Sequence, residues 1–233
     1  MAILTLAKGD PAALKLLKEA VAARYGLRPL LVESLRLTLS AKRPGFLGLP
    51  AQTHVHLALV GSTHWRWQER TRLLGIPIAS RLESFDGGAC YTGKIGAITS
   101  STEAQDLSSY QRLLWAVLAL LITPLTEEGV IVKAGGERTF AATLENAPHD
   151  VATITLNADY TLNKVQVQRH RPGDAAPVNY VVTPGRELQT LSGLILPVTV
   201  EMGWEDKPRT VYTITHAEVN ETIPLTEFTV HGG

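Results

Sequence analysis

The residues whose type and spacing come closest to chemistry are three histidines. In His54-Val55-His56 the two imidazoles fall on one face of an extended segment, because side chains alternate along a strand, and that is usable metal-ligand geometry. With His64 in the next segment a three-histidine site, and with it a metal-dependent enzyme, is conceivable. A cupin-like site would also need a carboxylate shortly after the pair, and Leu59, Val60 and Gly61 offer none. Surface or hydrogen-bonded histidines are the plainer reading, so no metal and no cofactor are expected.

Other chemical signals are thinner. Cys90 follows a turn and has no neighbouring histidine or second cysteine to activate it, which makes a small buried apolar side chain the expectation. As the only cysteine it excludes an internal disulfide and any site built from several thiolates. There is no Gly-x-Ser-x-Gly elbow, no phosphate-cradling glycine loop and no His-Glu-x-x-His. Asp86, Asp150, Asp159 and Asp206 stand in turn contexts, where a side chain bonded to its own turn is the ordinary role. Arg169-His170-Arg171 reads as a solvated basic patch at a strand end. Asn220-Glu221-Thr222 matches a glycosylation sequon, which matters only in a secreted eukaryotic protein. No residue earns a catalytic role, and the chain is not read as an enzyme.

Composition narrows the class further. The 233 residues carry 22 Lys+Arg against 22 Asp+Glu, so there is no cation surplus with which to neutralise a run of phosphates, and no nucleic-acid partner is expected. With 45% hydrophobic residues the chain is long enough for a real core. Residues 1–116 hold 14 Lys+Arg and 8 Asp+Glu, a net of +6, and the remainder holds 8 and 14, a net of −6. Opposite charge suits two halves of one domain, 1–233. No Pro/Gly/Ser-rich linker separates them, and a helical segment sits where a linker would have to be.

The elements that must position these residues follow from punctuation and period. Asp10 reads as an N-cap, Pro11 as the first helical residue and Gly26 as the left-handed stop of a helix over 10–25. Leu14, Leu17 and Val21 share its apolar face, with Lys15, Lys18 and Arg24 away from it. From Leu35 the period becomes two, Leu35, Leu37 and Leu39 alternating with Arg36, Thr38 and Ser40. Phe46-Leu47-Gly48 interrupts that strand. A hairpin over 54–73 turns at Gly61-Ser62, and a strand over 79–85 ends at Asp86-Gly87-Gly88.

A helix is expected over about 102–123, with Thr102 and Gln105 as a capping box and Pro124 as its stop. It is apolar almost all round from Leu113 to Ile122, and the longest apolar stretch, 113–125, is too short to span a bilayer, which takes roughly 20 residues. It is read as sandwiched in a core or as the apolar wall of a cavity. Only strand signals follow: 130–133, 139–144, 151–156, 164–169, 178–182, 194–202, 211–218 and 227–230. Turns between them are expected at Gly135-Gly136, Asn157-Ala158-Asp159, Pro172-Gly173-Asp174, Pro184-Gly185 and Asp206-Lys207-Pro208. This is an antiparallel meander.

The order of these elements resembles the LolA-like lipoprotein-carrier superfamily, the LolA/LolB-like fold, and uncharacterised bacterial relatives grouped near it. Carrying the resemblance are the helix ending Ala22-Ala23-Arg24-Tyr25-Gly26, the strands closing in Phe85-Asp86-Gly87-Gly88, the helical insertion, the segment Gly193-Leu194-Ile195-Leu196-Pro197, and the terminal Asn220…Ile223-Pro224…Phe228. The resemblance implies an α+β, mainly β fold: an incomplete barrel, a strongly curved antiparallel sheet with helices on its concave face. It also implies a carrier function, with an acyl chain of a lipid or lipoprotein held in the cavity between sheet and helices. No arginine stands out as the one with which carrier members gate that cavity.

Residues expected to wall the cavity are Leu14, Leu17, Val21, Leu35, Leu37, Trp65, Trp67, Phe85, Trp115, Leu118 and Ile122. The alternative for these apolar faces is a barrel plugged by its own helix, a structural or interaction module without ligand. A hydrophobic small molecule or lipid, or a lipoprotein or envelope protein, is the expected partner, and the chain is not expected to be an integral membrane protein. As written it reads as cytoplasmic, and as periplasmic or envelope-associated if an export signal has been removed.

Overall fold

The computed structural model describes residues 6–26, 29–44, 49–171, 174 and 176–230. Along the chain come β1 (Lys8–Gly9), α1 (Pro11–Tyr25), β2 (Ser34–Pro44), β3 (Pro50–Val60), β4 (His64–Leu73), β5 (Ile76–Phe85), β6 (Cys90–Lys94) and β7 (Ala97–Ser101). Then follow α2 (Ala104–Leu121), a 3-10 turn over Thr123–Thr126, β8 (Val130–Gly136), β9 (Thr139–Leu144), β10 (Ala147–Leu156), β11 (Leu162–Arg169) and β12 (Val178–Pro184). Last are β13 (Leu188–Leu191), β14 (Leu194–Pro197), β15 (Thr199–Trp204), β16 (Thr210–Val219) and a 3-10 turn over Leu225–Glu227.

Fourteen strands share one hydrogen-bonded order, β1-β8-β9-β10-β11-β12-β15-β16-β2-β3-β4-β5-β6-β7, with β13-β14 as a separate ribbon. The end strands β1 and β7 are not paired with each other, so the sheet is mainly antiparallel and unclosed, the class expected from the sequence. One exception is that β1 pairs with β8 in parallel, Gly9 opposite Val132. A side chain at Gly9 would run into the Val132 carbonyl, and its φ of 139° also demands glycine.

Two compact units divide the chain: Met1–Val32, Gln111–Pro184 and Met202–Arg209 form the first, and Glu33–Tyr110, Gly185–Glu201 and Thr210–Gly233 the second. In the first, α1 buries Ala13, Leu17, Ala20, Val21 and Arg24, while Leu14 is only half-buried. The stripe is thus turned from the expected one, and Arg24 belongs to it. Asp10 has extended backbone and its carbonyl accepts from Leu14, but its carboxylate does not cap the helix. It accepts from the Ala134 N–H of β8 at 2.9 Å instead. Gly26 has the positive φ expected of the stop, 62°, but with ψ −131° it lies outside the left-handed helical well; its N–H donates to the Ala22 carbonyl.

Helix α2 is shorter than expected, and at its start the Ser101 hydroxyl accepts from the Glu103 N–H at 3.2 Å. Every residue from Leu113 to Leu125 is buried. Phe140, Ala142, Ile154, Val165 and Val167 supply buried residues from β9 to β11.

The second unit is a meander in which cross-strand pairs build layers. Leu35, Leu59, Trp65, Phe85 and Cys90 form one row across β2 to β6, all buried. Arg36, Ala58, Arg66, Ser84 and Tyr91 form the row beside it, whose alternate residues face the other way.

Several expectations are corrected. The hairpin β6–β7 was not anticipated, because Cys90–Ser101 is short and rich in small polar residues. The segment expected as one strand over 194–202 is two, broken at Val198. Residues 227–230 form no strand, and the turn after β8 falls at Glu137-Arg138, with Gly135-Gly136 inside or at the end of the strand. The interruption at Phe46-Leu47-Gly48 and most of the turn at Pro172-Gly173 lie outside the described residues.

Candidate functional site

In the second unit the apolar face of the sheet carries five of the expected cavity residues: Leu35, Leu37, Trp65, Trp67 and Phe85 are all buried. Trp65 stacks on Tyr110 of α2, ring centroids 5.7 Å apart. Its indole N–H is buried with no acceptor among the described residues. Trp67, two residues on, meets Tyr212 edge to face at 5.4 Å and donates to Glu69 Oε2 at 3.4 Å. Sequence reasoning missed Glu69 and Glu83, carboxylates buried on this apolar face; Arg81 donates to Glu83. Their alternation with Trp67 along paired strands was the available signal. Cys90 is buried as expected, and burial together with the nearby Asp106 pushes its thiol up, away from the thiolate a nucleophile needs.

In the first unit lie the other six: Leu17, Val21, Trp115, Leu118 and Ile122 are buried and Leu14 half-buried. Arg24, which the sequence put on the solvent side, donates from Nη1 to the Leu120 carbonyl, and Tyr25 donates to the Leu121 carbonyl at 2.8 Å. These two bonds take up carbonyls at the C-terminal end of α2, where the helix has no N–H of its own to offer. Burial lowers the Arg24 pKa and raises that of Tyr25.

The polar face of the second unit takes the histidines. His54 lies opposite Ser40 and Arg70, His56 opposite Thr38 and Gln68, and His64 opposite Val60. His64 is four residues from Gln68 along β4, about 13 Å from the His56 row. It is held by Thr63 at 2.8 Å and by the edge of Phe228. The structure therefore does not bring the three histidines together. Among the described residues no group of three His, Cys, Asp or Glu is placed to hold a metal ion. A half-open groove of about 480 Å³ is lined here by Arg36, Thr38, His56, Arg66, His216 and Glu227 among others.

Two further readings change and one stands. Arg169-His170-Arg171 is not a solvated patch: Arg169 is buried against the Tyr180 and Trp204 rings, and Arg171 pairs with Asp174 and Asp206. Asp150 sits in β10 and is ion-paired with Arg112 at 2.9 Å. Asp86 does serve its turn, accepting from the Gly88 and Ala89 N–H groups at 3.0 and 2.7 Å, and from the hydroxyls of Tyr91 and Thr229.

No protein-family model matches the sequence, and no curated protein matches it. Its structure is similar to that of a LolA superfamily protein from Nitrosomonas europaea, with a TM-score of 0.51 at 8% identity over 94% of this chain and 97% of that one. The fold is LolA-like. A DUF1329 family protein from Desulfovibrio piger also matches, with a TM-score of 0.48 at 7% identity over 94% of this chain and 98% of that one.

The motifs that suggested a LolA-like fold hold structural posts. Ser192 and Gly193, both at positive φ (48° and 80°), make the turn between β13 and β14. Asn220 Oδ1 accepts from the Glu33 and Ser34 N–H groups at 2.8 and 3.4 Å, fixing the start of β2. Ile223 and Phe228 pack on Ala58 and Val60. Among the described residues no helix is long and apolar enough to cross a membrane.

Proposed function

We propose that this chain is a non-catalytic binding protein or carrier for a hydrophobic ligand, the acyl chain of a lipid or lipoprotein, lying along the apolar face of the second unit's sheet. The observation that carries this reading is Trp65. Its indole sits in a row of buried apolar side chains with a donor that no described protein group accepts. Leaving such a donor without an acceptor costs about 1–3 kcal/mol, and the ester or amide carbonyl of an acyl ligand would relieve it. Burying an alkyl chain contributes about 0.8 kcal/mol per CH₂, so affinity should climb with chain length. The LolA-like fold agrees with this role, and a lipoprotein or envelope protein is the proposed source or recipient of the ligand.

A second reading has its own observation. The run from Leu113 to Leu125 is buried by the chain itself, as in a plugged sheet that acts as an interaction module. Native mass spectrometry of protein purified from its own cells, followed by titration with fluorescent fatty acids of increasing length, separates the two. A retained acyl lipid and affinity rising with length support the carrier. A bare mass together with no probe binding supports the plug.

A further inference from the structure

Two hairpins of the second unit end in side chains that the fold itself does not use. Leu74, Ile76 and Ile78 at the β4–β5 turn are 74%, 65% and 54% exposed, and Ile95 at the β6–β7 turn is 43% exposed. The hairpins are tied together, since the Ile95 N–H donates to Ser80 Oγ at 3.3 Å. Cations surround them. Lys42, Gln52 and Arg72 form one row across β2, β3 and β4, with Arg72 opposite Pro77 of β5. Arg70 lies opposite Ser80, and Lys94 opposite Ala97. Lys42, Arg70, Arg72 and Lys94 are exposed, and none has an ion-pair partner among the described residues.

We propose that this end of the second unit docks on an anionic lipid surface, the four cations meeting headgroup phosphates while Leu74, Ile76, Ile78 and Ile95 enter the boundary of the acyl layer. The combination selects this occupant. A free phosphate or a nucleic acid would engage the cations and leave four aliphatic side chains in water. A neutral apolar partner would engage the aliphatics and leave the cations idle. A bilayer surface presents negative charge above hydrocarbon within a depth of about 5–10 Å, which short apolar side chains on turns can reach. The inference is independent of whether an acyl ligand lies on the apolar face.

The test is co-sedimentation of the full chain with vesicles of phosphatidylcholine alone and of phosphatidylcholine with phosphatidylglycerol. Binding is expected to the mixed vesicles, little to phosphatidylcholine alone, and less as salt is raised. Each cation near such a surface is worth about a fivefold change in partitioning, so Arg70→Gln with Arg72→Gln should lower it by about 25-fold. Ile76→Thr with Ile78→Thr should weaken binding at all salt concentrations. All four positions are exposed, so circular dichroism should show every variant folded. Absence of binding to the mixed vesicles, or equal binding by the arginine variant, overturns the proposal. So does a dimer in light scattering that the isoleucine variant abolishes, since a second copy would then be the occupant.

Discussion

Arg36 holds Glu227 through two hydrogen bonds, Nη1 to Oε2 at 3.0 Å and Nη2 to Oε1 at 2.6 Å, across 191 residues of sequence. Arg66 donates to the backbone carbonyl of the same glutamate. Two arginines from β2 and β4, the strands on either side of β3, thus fix one residue of the C-terminal segment, one by its side chain and one by its backbone. Both groups are about one third exposed, so the pair is worth about 0.5–1 kcal/mol rather than the larger value of a buried one. Glu227→Ala should lower the unfolding free energy by about that much. A double-mutant cycle with Arg36→Ala should return a coupling of the same size, whereas Arg66, bound to the carbonyl, should show almost none.

The neighbouring Phe228 matters more. It is fully buried, its carbonyl accepts from Ser84 Oγ at 2.6 Å, and its ring packs with Ile223 on Ala58. Phe228→Ala should cost about 3–5 kcal/mol in urea denaturation. Leu225→Ala, three residues away and 52% exposed, should stay within about 0.5 kcal/mol. Equal effects at the two sites would mean that the segment is not packed as described.

Asp86 gives the pH dependence a sign. Burial pushes its carboxyl up, but the N–H groups of Ala89 and Gly88 and the hydroxyls of Tyr91 and Thr229 outweigh that and hold it below the usual carboxylate value. A depressed folded-state pKa means that the unfolded chain binds the proton more readily. The stabilisation is therefore complete above the ordinary carboxylate range near pH 4 and is lost as pH falls through the lower folded value. Melting curves of wild type and Asp86→Asn should differ at pH 7 and converge toward pH 2.

How much could be read beforehand depended on whether the signal was local. Leu35, Leu37 and Leu39 announced a half-buried strand because period two needs only the strand itself, and Gly61 marked a turn by its own backbone requirement. Arg24 was misread because its burial depends on the carbonyl of Leu120, 96 residues away, and nothing in a helical wheel reveals such a partner. Asp10 was assigned to its own helix and went to Ala134 for the same reason. Glu69 and Glu83 were passed over because a carboxylate on an apolar face is costly, although each has a donor two residues before it on its own strand, Trp67 and Arg81, that period two would have placed on the same face. His54, His56 and His64 looked like a set because sequence distance was all there was to judge by; the register of β3 against β4 separates them.

Trp65 offers the cleanest test of ligand binding. Trp65→Phe keeps a six-membered ring beside Tyr110 but removes the pyrrole half of a fully buried indole together with its unaccepted N–H, so the cavity left should cost about 1–3 kcal/mol of stability, offset in part by loss of the unmet donor. If an acyl carbonyl accepts that proton, the affinity of an acyl ester probe should fall by about fivefold, while a plain alkane probe of equal length should be unaffected. An equal response of the two probes would show that the donor does not meet the ligand.

Leu74 is poorly suited to its place. It and Gly75 form the β4–β5 turn with φ of 50° and 84°, the positive values that a type I′ hairpin turn requires at both central positions. Glycine adopts them freely and asparagine readily, but for a leucine the left-handed region costs about 1–2 kcal/mol. At 74% exposure its side chain recovers none of that by packing. Leu74→Asn, creating the preferred Asn-Gly turn, should therefore raise the unfolding free energy by about 0.5–1 kcal/mol in urea denaturation. If stability is instead lost, the leucine makes a packing contact that its exposure conceals. If stability rises while binding to anionic vesicles falls, the strain at Leu74 is retained for the surface it meets, a stability–function trade-off at a single residue.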